Sequence, residues 1–138
     1  MKKFLTFAIS LIAIVACFFI GACDKSPIQA DENTVIITAS DESFDFEGKK
    51  LIDYMNRLQD KGELTFEVSD GMVTTVNGKS QANNSYWMIY TNDADNSNEA
   101  WGTFEHEGKI YGSATLGVEE LPLKEGCIYV LAYQSFSI

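Results

Sequence analysis

Hydrophobic positions change period along the chain, and the changes mark out its elements. An unbroken apolar run from Phe4 to Ala22, interrupted only by Thr6 and Ser10, opens the sequence. Polar residues around Pro27 follow. Thr34-Val-Ile-Ile-Thr38 is β-branched throughout and predicts a strand. A turn-like Ala39–Ser43 leads to Phe44-Asp45-Phe46, whose alternation predicts a second short extended piece. From about Gly48 to Asp60 the period becomes helical. Leu51, Met55 and Leu58 share one stripe with Ile52 beside it, while Lys49, Asp53, Asn56, Arg57 and Asp60 face water. Lys61-Gly62 ends that helix, glycine taking the left-handed closing position.

Beyond Gly62 every signal is β. Leu64, Phe66 and Val68 alternate with Thr65 and Glu67, Ser69-Asp70-Gly71 makes a turn, and Met72–Val76 reads as a strand closed by Asn77-Gly78. Ser85–Thr91 is an aromatic strand, Asn92–Asn98 a polar loop, and Ala100–His106 and Lys109–Thr115 flank the turn Glu107-Gly108. Leu121-Pro122 interrupts before the longest strand, Gly126–Phe136. One early helix followed by a mainly antiparallel sheet predicts an α+β domain spanning 34–138, with 23–33 as a tether.

The apolar opening run is an export signal. Lys2 and Lys3 form its cationic start, and Ile20-Gly21-Ala22-Cys23 at its polar boundary resembles the lipobox of bacterial lipoproteins. That resemblance implies diacylglyceryl transfer to Cys23 Sγ and cleavage after Ala22, making residues 1–22 a lipoprotein signal peptide. The residue types suit the chemistry: small side chains admit a peptidase, and a thiol is the soft nucleophile a thioether requires. The expected location is the extracytoplasmic face of a cell membrane, with acylated Cys23 in the bilayer.

Charge narrows the partners. The 138 residues carry a net charge of −10 and a single Arg, so clustered cations for nucleic acid are missing. Loss of residues 1–22 leaves 116 residues at −12. Cys17 leaves with the signal and Cys23 is acylated, so Cys127 has no partner for a disulfide and reads as a small buried hydrophobe.

Catalytic patterns are sparse. The sole histidine, His106, stands beside a hairpin turn in Phe104-Glu105-His106-Glu107-Gly108, as a solvated hairpin end would place it. There is no HExxH, GxSxG or Gly-rich phosphate loop, so the chain reads as a non-enzyme. Asp93, Asp95, Ser97 and Glu99 alternate as oxygen ligands of a hard cation would, although Asn98 stands at the EF-hand glycine position. The same alternation suits a solvated loop tip, and no resident cofactor is expected.

Aromatic residues carry the strongest binding signal. Tyr86, Trp87, Tyr90, Trp101, Phe104, Tyr111, Tyr129, Tyr133 and Phe136 crowd the last third of the chain. On Ser85–Tyr90, Trp87 and Ile89 point to one face and Tyr86, Met88 and Tyr90 to the other. Either these rings fill a core on both sides of a central strand, or one face meets a partner.

Taken in order, Asp70-Gly71-Met72-Val73-Thr74-Thr75-Val76-Asn77-Gly78, Ser85-Tyr86-Trp87-Met88-Ile89-Tyr90, Leu116-Gly117-Val118 and Leu123-Lys124-Glu125-Gly126-Cys127-Ile128-Tyr129-Val130 resemble the transcobalamin-like C-terminal domain family across 34–136. The resemblance implies a β-grasp-like domain. It also implies a surface lipoprotein that binds a small ligand, with cobalamin or another corrinoid favoured, and feeds an uptake system through a transporter partner. The ligand contacts it implies are Tyr86, Trp87, Tyr90, Leu116, Gly117 and Val118, with Trp101 and Tyr111 completing the wall. The hairpin region 92–115 is an addition to the family pattern. A surface protein docking on the aromatic face, as in adhesion, is the alternative expectation.

Overall fold

The computed structural model describes residues 27–136. The expected signal peptide, Cys23 and the first part of the expected tether lie outside the described residues. Among the described residues nine strands form two sheets: β1 (Ile28–Ala30), β2 (Thr34–Thr38), β3 (Phe66–Ser69), β4 (Met72–Val76), β5 (Lys79–Ser80), β6 (Ser85–Thr91), β7 (Ser97–His106), β8 (Lys109–Ala114) and β9 (Ile128–Ser135). The larger sheet runs β1-β2-β9-β6-β8-β7 and the smaller β3-β4-β5, with every ladder antiparallel. With α1 (Leu51–Asp60), the one α-helix among the described residues, the domain is α+β and sheet-dominated, as the pattern predicts.

The helix begins three residues later than its periodicity suggests. Gly48 has φ +72° and Lys50 is extended, so neither continues a helix; the Lys50 N–H instead donates to Asp53 Oδ2 at 2.7 Å, which caps the first turn. At the other end the N–H groups of Gly62 and Glu63 donate to the carbonyls of Gln59 and Leu58, with Gly62 at φ +78°. This is the Schellman closure, and glycine is what makes its left-handed step easy. Leu51, Tyr54, Met55 and Leu58 are buried.

Two expected segments differ. Phe44–Phe46 is not a strand, because Asp41 Oδ1 accepts from the Ser43 N–H and Asp45 Oδ1 from the Glu47 N–H. These side chains fold the backbone into tight local turns in place of a ladder. Phe44 and Phe46 pack against Tyr54 with ring centroids 5.1 and 5.6 Å away. The second half of the tether, in turn, holds β1, paired with β2 from Ile28–Ile37 to Ala30–Val35. Asp31 Oδ1 makes that hairpin by accepting from the N–H groups of Asn33 and Thr34.

Both faces of the large sheet are packed. On one, Val35, Ile37, Trp87, Tyr129 and Leu131 meet α1 together with Val73 and Val76 of the small sheet. On the other, Ile36, Tyr90, Tyr111, Val130 and Ala132 form a second cluster, with Met88, Phe104 and Ile128 against it. Among the described residues no helix covers this second face. The sheet curls over it instead: β7 breaks register with β8 between Asn98 and Thr103, Gly102 adopts φ +146°, and Phe104 comes over Tyr90 at 5.6 Å. Phe104 and His106 thereby share a hollow of about 320 Å³ with Gln29, Ala30, Asp31, Thr34 and Ile36, at the opposite edge of the sheet.

A candidate binding wedge beside strand β6

The structure disperses most of the expected ligand residues. Tyr90 and Tyr111 are interior, and burial raises both phenols above the usual tyrosine range. The Tyr90 hydroxyl donates to Gln134 Oε1 at 2.6 Å. Val118 is core, and its carbonyl accepts from the Ile52 N–H of α1. Tyr86 lies beside Phe136 with centroids 6.2 Å apart, both rings exposed. Trp101 stands alone on the β7 irregularity, 65% exposed. Trp87, Leu116 and Gly117 are the three that converge on one hollow, of about 210 Å³.

That hollow is a wedge where the sheet splits. Strand β6 pairs with β9 along its whole length but with β8 only at Tyr90–Ser113 and Thr91–Gly112. Beyond Ala114 the chain veers off, the Thr115 N–H donating to the Asn96 carbonyl. Gly117 presses backbone to backbone on Gly71, and a Cβ there would stand 2.6 Å from the Gly71 carbonyl oxygen. Met72, Val73, Trp87, Met88, Ile89 and the segment from Ser113 to Gly117 form the walls. Met72 and Leu116 are 56% and 37% exposed at the rim.

Peptide groups along β6 alternate in direction, and three anchors fix the phase. Ser85 exchanges both backbone hydrogen bonds with Ala82, away from β9, whereas Phe136 donates to the Asn84 carbonyl and Asn92 to that of Ile128. Even-numbered residues therefore bond toward β9, and odd-numbered ones face the other edge. Ser85 is satisfied there by Ala82 and Thr91 is paired with Gly112. Between them the Ile89 carbonyl closes the ladder to β8 at Tyr90–Ser113, and Trp87 faces the wedge, where it has no ladder partner among the described residues. The indole of Trp87 is turned into the core, its Nε1–H donating to the Lys79 carbonyl at 2.8 Å and its ring 5.2 Å from Tyr133. Trp87 thus offers the wedge its backbone rather than its ring.

Sequence reasoning passed over Met72, Met88 and the 113–115 segment. Met72 and Met88 looked like ordinary strand residues, and the fork that exposes them depends on pairing between strands far apart in the chain. Next to the wedge, Asp70, Glu119 and Glu120 line a depression of about 430 Å³ that shares Gly71, Met72 and Gly117 with it. None of these carboxylates has an ion-pair partner among the described residues.

The oxygen-rich loop is organised differently from a calcium loop. Asp93 caps a 3₁₀ turn (Ala94–Asn96), accepting from the Asp95 N–H and from Asn96 Nδ2. Lys124 Nζ lies 2.9 Å from both Asp93 Oδ1 and Asp95 Oδ2, so an internal ammonium engages the carboxylates. Hydrogen bonds to Asp93 and then to Asp95 raise the Lys124 pKa. Burial opposes ionisation of Asp93, but hydrogen bonds from Lys124, Asn96 and the Asp95 N–H outweigh it and lower its pKa. Ser97 and Glu99 belong to β7 and lie over Gly112, where an added Cβ would stand 3.2 Å from both side chains. Among the described residues no three His, Cys, Asp or Glu side chains are grouped to hold a metal.

His106 Nε2 lies 3.5 Å from Glu107 Oε2 at the hairpin tip. Burial raises the pKa of the half-buried Cys127 thiol, which suppresses its thiolate. Among the described residues no helix is long and apolar enough to cross a membrane. Comparison with family models, curated proteins and solved structures gives no match to this chain.

Proposed function

We propose that the mature chain is a lipid-anchored, extracytoplasmic binding module, non-enzymatic, that takes its ligand in the wedge between β6 and the 113–117 segment. The observation that carries this reading is the fork itself. Both faces of the large sheet are packed by the chain's own side chains, yet along β6 the sheet stops pairing and leaves an apolar cleft with Met72 and Leu116 at its mouth. Binding sites are commonly clefts of this kind, apolar with a few directed polar groups, although about 300–1,000 Å³ is usual for engulfing a ligand. A wedge of about 210 Å³ grips one edge of a larger molecule.

Resemblance to the transcobalamin-like, β-grasp-like domains favours a corrinoid as that molecule, delivered to an uptake system. A flat macrocycle would lay its rim along Met72, Met88 and Leu116, whose side chains are apolar and, for the methionines, adaptable. Titrating the full chain in nanodiscs with cobalamin, followed by the corrin absorption bands and tryptophan emission, tests this. Saturable changes that disappear in Met72→Asp/Leu116→Asp are expected. No change at high micromolar cobalamin would remove the corrinoid.

A protein-interaction module is the second reading. It is favoured by the backbone of Trp87, which faces the wedge without a ladder partner among the described residues.

A further inference from the structure

We propose that the wedge receives an extended, cationic segment of a partner protein, added as a strand to the outer edge of β6; this rests on the wedge being the ligand site and names its occupant. Three observations converge on it. The first is the chemistry of the edge. Between Ser85, bonded to Ala82, and the Ile89 carbonyl, taken by the ladder to β8 at Tyr90–Ser113, the N–H and C=O of Trp87 and the N–H of Ile89 face the wedge at strand spacing. Buried backbone groups are nearly always paired, and another extended backbone supplies both complements in the same repeat. A purely apolar ring supplies neither.

The second is length. Tyr86 to the Ile89 N–H gives about 10 Å of strand at roughly 3.3 Å per residue, enough for about three added residues. Alternate side chains of such a segment would meet Met72 and Leu116 on one side of the sheet and Met88 on the other. Strand addition of this sort takes its affinity from the main chain and its selectivity from alternate side chains.

The third is charge. Asp70, Glu119 and Glu120 share Gly71, Met72 and Gly117 with the wedge and are exposed, without a cation among the described residues. A Lys or Arg on the added strand would complement them, whereas a second copy of this acidic chain would bring the same three carboxylates to the contact.

The test uses the full chain in phosphatidylcholine nanodiscs and end-blocked, fluorescein-labelled Lys-Ile-Thr-Val-Lys. Two controls carry Glu in place of both Lys, or N-methyl groups on alternate amides. Fluorescence anisotropy should show saturable binding of the basic peptide, with each control weaker by about tenfold or more, since one loses the charge match and the other its backbone donors. Hydrogen exchange across 85–91 should slow in the bound state. Glu119→Lys/Glu120→Lys, at two exposed positions, should reverse the preference between basic and acidic peptides.

Equal binding of the three peptides, or no binding at millimolar concentration, would overturn the proposal. Should cobalamin protect 85–91 while no peptide does, the wedge stands as the site and the cationic strand is wrong. If neither slows exchange there, both readings fall.

Discussion

Gly117 and Asp93 show how single residues fix this domain. The Gly117 backbone rests on Gly71, and a methyl group there would meet the Gly71 carbonyl oxygen at 2.6 Å, with backbone on both sides and no flexible chain end to yield. Gly117→Ala should therefore cost about 1–3 kcal/mol, as forced overpacking does, read as a lower midpoint in urea unfolding. An unchanged midpoint would mean that the 70–72 and 116–118 turns do not press together. Asp93 titrates below the ordinary carboxylate range because Lys124, Asn96 and the Asp95 N–H favour its charged form over the opposing cost of burial. A depressed folded-state pKa gives stability that is present above the unfolded value, near 3.8, and is lost as pH falls through the folded one. Urea midpoints measured from pH 6 down to pH 2 should fall less steeply in Asp93→Asn than in the parent chain. Parallel curves would deny the linkage. The alternating oxygens of 93–99 suggested a metal loop from spacing alone, but the cation engaging them comes from Lys124, 31 residues on from Asp93, and no local pattern announces it.

At the scale of elements, what the chain writes locally is what its sequence discloses. β2, β4 and β6 lie where β-branched and aromatic runs end at turn residues, and Asp70-Gly71, Asn77-Gly78 and Glu107-Gly108 all have positive φ at both positions, the form two-residue hairpins prefer. Side-chain competition defeated the same reasoning at Phe44–Phe46, where Asp41 and Asp45 turn the backbone. In 23–33, Ile28 was too isolated to announce a strand, and the β2 edge supplies the partner. The curl of β7 was equally hidden, because it rests on four residues between Asn98 and Thr103 that β8 does not match. Gly102 at φ +146° holds that bend, so Gly102→Val should strain it and destabilise the domain by about 1–3 kcal/mol. Near-ultraviolet circular dichroism should report the loosened packing of Phe104 on Tyr90. A Gly102→Val chain with parent stability and an unchanged aromatic spectrum would show that β7 bends without help from glycine.

For the whole molecule, the aromatic residues answer the question the sequence left open mainly in favour of a core on both sides. Trp87, Tyr129 and Tyr133 pack toward α1 and the small sheet, while Tyr90, Tyr111 and Phe104 pack under the curl. The binding face we propose comes from strand order, which leaves β6 paired along one edge and open at Trp87 on the other. Strand order depends on contacts between distant residues, so neither periodicity nor motif spacing could reveal the wedge. The proposed membrane attachment belongs to this scale too: if Cys23 is acylated, Cys23→Ser should move the chain from the membrane fraction to the soluble one, and persistence in the membrane fraction would oppose thioether anchoring.

Residue-resolved amide hydrogen exchange on the free protein reads directly whether β6 is open toward the wedge. Tyr86 and Met88, bonded toward β9, should exchange slowly, and the Trp87 amide between them should exchange at least about tenfold faster, since protection follows pairing. Uniform slow exchange from Tyr86 through Ile89 would contradict the account, because something in the chain itself would then already occupy that edge.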